Sequence, residues 1–105
     1  REFGIAGELQ PRAAAREPFH ADLLPLLERF RPPVVSFHFG LPEEALLAPL
    51  RAWGARIVSS ATTVAEARWL EARGVDAIIA QGLEAGGHRG HFLDDDLTRQ
   101  MGTFT

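Results

Sequence analysis

The densest chemistry in the sequence lies in AIIAQGLEAGGHRGHF, residues 77 to 92. An apolar run ends at Gln81 and Gly82, and the pair Gly86-Gly87 then leads directly into His88, Arg89 and, soon after, His91. Gly82, Gly86 and Gly87 carry no Cβ, so backbone N–H groups there can approach a planar or anionic ligand closely. The same glycines could equally do no more than turn the chain. A histidine changes charge near neutral pH, which suits His88 to act as acid, base or hydrogen-bond donor; a structural or solvated histidine is the other reading. The spacing of His88, His91 and Glu84 permits two metal ligands, whereas a catalytic zinc takes three protein ligands, so no metal site is expected.

A second set of candidates lies upstream. In VVSFHF, residues 34 to 39, alternation puts Ser36 and His38 on one face and Val35, Phe37 and Phe39 on the other. His38 then either looks into the mouth of a site or is a hydrogen-bonded core histidine. Ser59, Ser60, Ala61 and Thr62 close the next apolar run, with Ser60 a further candidate for such a mouth. The run Asp94-Asp95-Asp96 reads as a solvated helix start, and Trp53 and Trp69 read as packing residues on helix faces.

The elements that must position these residues follow from periodicity and stop signals. Residues 1 to 18 carry Gly, Pro and charge without apolar period and read as a loop or connector. Residues 19 to 30, FHADLLPLLERF, place Leu23, Leu24, Leu26, Leu27 and Phe30 on one helical face, with Pro25 tolerable in the first turn. Two prolines stop that helix and VVSFHF follows as a strand. LPEEALLAPLRAWG is a helix whose Glu43 and Glu44 favour the positive end of the dipole and whose Gly54 stops it. ARIVSSA is a strand. TTVAEARWLEARG is a helix with Thr62 or Thr63 as cap, Glu66 at capping-box distance from Thr63, and Gly74 as its stop. VDAIIAQG is the third strand.

From Val35 to Ile57 to Ile78 the strands recur every 21 to 22 residues, about the βαβ rhythm of a parallel sheet. Three βα units fit a doubly wound sheet or part of a (β/α)8 barrel, which needs roughly 250 residues. In both, the active site lies on the loops at the carboxyl ends of the strands. That is where His38, Ser60 and residues 81 to 91 fall.

Composition narrows the functions. With 105 residues and 46% hydrophobic content the chain can build one core. Cysteine is absent, which excludes disulfides, thiolate nucleophiles and Cys zinc sites. All 11 basic residues are arginine, so no Schiff-base or P-loop lysine exists here. A net charge of -3 without a basic stripe argues against nucleic acid. No membrane-spanning run and no signal peptide are visible, so a cytoplasmic location is expected. The chain opens on Arg1 and closes on GTFT without helix stop or polar tail, which reads as a fragment of a longer chain.

VVSFHFGLP, SSATTVAEARWLEARGVDAIIAQGLEAGGHRGHF and DLTRQMGTFT together resemble consecutive parts of the nitronate monooxygenase family, formerly called 2-nitropropane dioxygenases. The resemblance runs from about Phe30 to Thr105, and AQGLEAGGHRG is its most specific part. It implies an FMN-binding TIM barrel, with residues 19 to 105 a partial barrel domain near the middle strands and the rest of the barrel required for activity. It implies flavin-dependent oxidation of alkyl nitronates by dioxygen to carbonyl compound and nitrite. Carried over by position, Gln81 and Gly86 contact the flavin, with Gly82, Ala85 and Gly87 beside them, and His88 is the active-site histidine. Some relatives carry a lysine after the preceding strand where this chain has Ser59, Ser60, Ala61 and Thr62, so any contact made by that lysine is missing. Two other readings stand beside it: an FMN-dependent enoyl-acyl-carrier-protein reductase, which shares an EAGGH loop, and an inactive truncated or structural module.

Overall fold

A computed structural model describes residues 19–105. The expected connector over residues 1 to 18 lies outside the described residues. Three strands alternate with helices in the order α1 (Leu24–Phe30), β1 (Val34–Phe37), α2 (Glu44–Ala52), β2 (Arg56–Ala61), α3 (Val64–Ala72) and β3 (Ala77–Ala80). The strands form one parallel sheet in sequential order, with Val35 opposite Ile57 and Ser60 opposite Ile79. This is the partial βα arrangement that the strand rhythm predicts. No helix among the described residues is long and apolar enough to cross a membrane.

One face of the sheet is covered. Val35, Phe37 and Ile57 meet Leu47 and Leu50 of α2, with Leu24, Leu27 and Trp53 packed around them. Leu47, Leu50, Ile57 and Leu70 are fully buried, each worth roughly 1.5–3 kcal/mol relative to exposure. The other face has no such cover among the described residues: Val34 and Ile79 remain 53% and 49% exposed.

The elements differ from their sequence patterns in three places. The strand expected over VVSFHF stops at Phe37, because Phe39 and Gly40 take left-handed φ values of 68° and 93° and turn the chain out of the sheet. The helix expected from residue 19 starts as a 3-10 turn at Ala21–Leu23, with Pro25 in the first turn of α1. Leu26 and Phe30 stay exposed, since α1 reaches the core only through Leu24 and Leu27. In α2 the expected stop holds, Gly54 sitting at φ 89° just beyond the helix, but Pro49 lies inside the helix and removes one donor from its ladder.

Candidate functional site

Parallel pairing brings the carboxyl ends of β1, β2 and β3 side by side, and the candidate residues collect there. A pocket of about 330 Å³ opens on the uncovered side of the sheet, lined by Ser36, His38, Ser60, Ile79, Gln81 and Ala85 among others. That volume is at the lower end of the range for small-molecule sites.

His38 joins all three strand ends. Its Nδ1 lies 2.6 Å from the Ser60 hydroxyl and its Nε2 lies 3.2 Å from the His88 carbonyl oxygen. A carbonyl only accepts, so Nε2 carries the proton, and in the neutral ring Nδ1 accepts from Ser60. Gln81 is fixed just as firmly. Its Nε2 donates to the same His88 carbonyl at 2.9 Å, and its Oε1 accepts from the Gly90 N–H at 2.7 Å. These backbone partners orient the amide without ambiguity. His38 and Gln81 thus hold one carbonyl from two sides.

The glycines of the loop serve different ends. A Cβ at Gly90 would collide with the His38 ring, and one at Gly82 with Glu84 and Thr103, so both make room for the chain itself. A Cβ at Gly86 or Gly87 would meet nothing within 4 Å. The N–H groups of Gly86, Gly87 and His88 donate to no acceptor among the described residues. The His88 side chain is exposed. At this point the loop presents open backbone donors, no obstructing side chain and one imidazole. Those features fit a planar ligand whose edge carries hydrogen-bond acceptors, as the pyrimidine edge of a flavin does.

Of the residues singled out by sequence, His38, Ser60, Gln81 and Ala85 line one pocket, and Gly86, Gly87 and His88 stand on the loop that continues from it. Gly82 is buried beneath residues 101 to 103, where Leu83 N–H donates to Met101 O at 2.9 Å and Glu84 accepts from Thr103 N–H and hydroxyl. His91 is half-buried, with Nδ1 buried and unpartnered. Among the acids of residues 94 to 96, Asp96 caps the 3-10 turn Leu97–Arg99 and Asp94 pairs with Arg99 at 2.8 Å.

One residue of the site shows in the sequence only as a capping residue. Glu66 is 0% exposed, yet its carboxylate accepts four hydrogen bonds. Oε1 takes the Thr62 N–H and hydroxyl, both at 2.7 Å; Oε2 takes the N–H groups of Phe92 at 2.7 Å and Leu93 at 3.0 Å. Burial, the strongest influence, pushes the carboxyl up, but the Phe92 N–H, Thr62 hydroxyl, Leu93 N–H and Thr62 N–H together hold it below the ordinary glutamate range. Thr63 does cap α3, accepting the Glu66 N–H at 3.1 Å, but the glutamate reaches back past the cap to the Thr62 N–H rather than to that of Thr63, and its other oxygen reaches across to the third loop.

Comparison with known proteins identifies the family and the fold. A family model described as nitronate monooxygenase matches residues 6–105. Over 74 residues the chain is 54% identical to a nitronate monooxygenase of Paraburkholderia phytofirmans, covering 70% of this chain and 20% of that protein. Over 81 residues it is 49% identical to a nitronate monooxygenase of Pseudomonas aeruginosa, covering 77% of this chain and 23% of the relative. Among solved structures, nitroalkane oxidase from Streptomyces ansochromogenes superposes with a TM-score of 0.67 at 47% identity, over 75% of this chain and 23% of that one. The chain spans about a fifth of the length of the curated relatives it matches. Its three βα units are part of a (β/α)8 barrel, and the chain belongs to the nitronate monooxygenase family.

Proposed function

We propose that the whole protein oxidises alkyl nitronates with dioxygen to carbonyl compound and nitrite, with FMN as its flavin, and that it works in the cytoplasm. The family is flavin-dependent, and its chemistry calls for a small-molecule substrate and oxygen. The observation that carries the reading is the loop after β3. It leaves the N–H groups of Gly86, Gly87 and His88 without acceptors among the described residues, at the carboxyl end of a parallel sheet and continuous with a pocket lined by His38, Ser60, Gln81 and Ala85.

In this reading Gly86 and Gly87, with Ala85 and Gln81 beside them, receive the flavin ring, while Gly82 seats the loop against residues 101 to 103. The flavin, when bound, supplies the redox chemistry. The chain's own residues bind and orient. His88 faces the substrate: its imidazole donates a hydrogen bond to the anionic nitro oxygens of the nitronate, or takes the α-proton of a neutral nitroalkane. Ser60, His38 and Gln81 hold the His88 backbone so that the imidazole keeps one position. The phosphate of the cofactor and the remaining strands belong to other parts of the barrel.

The test is oxygen uptake by the whole protein with an alkyl nitronate, wild type against His88→Asn. The expected loss is about 100-fold or more, the usual scale for removing a positioned acid or base. Turnover unchanged by His88→Asn would remove His88 from the site.

A further inference from the structure

We infer that Glu66 is a positioning residue for the loop that carries His88, acting through the backbone of Phe92 and Leu93; this rests on the flavoenzyme reading above. Between β3 and Phe92 the chain has no helix or strand of its own, so its shape comes from its ties. At the start of the loop Gln81 holds the His88 carbonyl and the Gly90 N–H. At its return the fully buried Glu66 takes the N–H groups of Phe92 and Leu93. His88 lies between these fixed points.

The return is anchored by packing as well. The Phe92 ring stands edge-on to Trp69 of α3, with centroids 5.1 Å apart, and its atoms come within 3.3 Å of the Cβ position of Gly40 at the end of β1. The other oxygen of Glu66 is held by Thr62, directly after β2. One carboxylate therefore ties the end of β2 to the return of the loop after β3, with α3 supplying the side chain. Four donors on two oxygens require an anion with both oxygens free to accept. A glutamine would turn its NH₂ group toward donors on one side, and an aspartate, shorter by one methylene, would not span both partners.

A purely structural glutamate would lower melting temperature and nothing else. A positioning glutamate must also change the loop at residues it does not touch. Gly90 is such a residue, bonded to Gln81 and not to Glu66. In the whole protein, Glu66→Gln and Glu66→Asp should speed amide exchange at Gly90, Phe92 and Leu93 by about tenfold or more. Both should weaken FMN binding or turnover by a similar factor at a temperature where they are folded. Thr63→Ala removes the cap of α3 without touching the carboxylate, and should leave Gly90 exchange and FMN affinity at wild-type values.

Wild-type exchange at Gly90 in the folded Glu66 variants would overturn the assignment. So would Thr63→Ala producing the same loosening, or both Glu66 variants failing to fold while Thr63→Ala folds, since either makes Glu66 a general stabiliser. The exchange comparison needs no flavin. A wild type that takes up no FMN would refute the flavoenzyme reading, and Gly90 would still decide the role of Glu66.

Discussion

A methyl group added at Gly86 would meet open space, and one added at Gly90 would strike the His38 ring. The two glycines therefore separate what the loop offers a ligand from what it needs for its own shape. Gly86→Ala should leave the melting temperature of the flavin-free protein unchanged while weakening FMN binding about tenfold, read by fluorescence titration, because a Cβ would stand where the ring approaches. Gly90→Ala should displace His38, lose its bond to the His88 carbonyl, and cut turnover without needing any direct contact with a ligand. Equal effects of the two substitutions on stability would contradict this division. The pattern of glycines followed by His88 was legible in the sequence as a candidate site. The division of labour was not, because a glycine's neighbours come from other strands: His38 is fifty residues from His88 in sequence. Gly82, read with the others as a ligand contact, has its space taken by Glu84 and Thr103.

At the scale of elements, the three strands and the helices between them were legible from period, Gly54, Gly74 and the Thr63 cap, since each signal is local. The end of β1 was less so: VVSFHF has strand composition throughout, and only the left-handed turn at Phe39 and Gly40 withdraws His38 from the ladder. Glu66 fitted a local capping pattern, and its bonds to Phe92 and Leu93 span a separation that no local rule can see.

Those bonds have a consequence for pH. A carboxylate whose folded pKa is lowered stabilises the fold above its unfolded pKa, about 4.3 for glutamate, and loses that contribution as pH falls through the lower folded value. Asp76, lowered chiefly by the Ile57 N–H and further by Arg56, acts with the same sign. Melting temperature should thus be flat above about pH 5 and fall below about pH 4. The acid-side slope should be shallower in Glu66→Gln, which has no proton to take up there. A protein whose melting temperature rises on acidification through that range would contradict the assignment.

The whole molecule is organised around two faces of one sheet. One is packed by Leu47, Leu50, Ile57 and the helices; the other exposes Val34 and Ile79 and bears the pocket. Both outer edges of the sheet, along β1 and β3, lack a partner strand among the described residues. Long unpaired apolar edges invite association, and in a closed barrel both the edges and the inner face are covered by the remaining strands. Residues 19 to 105 expressed alone should therefore associate, seen by light scattering, and hold no flavin. A monomeric, yellow preparation of this segment would contradict that expectation. The barrel itself was legible only in part, because three βα units suit a doubly wound sheet as well; the match to nitroalkane oxidase over 75% of the chain separates the two.

In the proposed function, the loop from Gln81 to His88 is part of a flavin site that meets a nitronate. The most direct measurement is the visible absorption spectrum of the purified whole protein, taken without oxygen before and after addition of an alkyl nitronate. The predicted result is an oxidised-flavin band that bleaches on addition and returns when air is admitted. A colourless protein, or a flavin band that the nitronate leaves untouched, would contradict it.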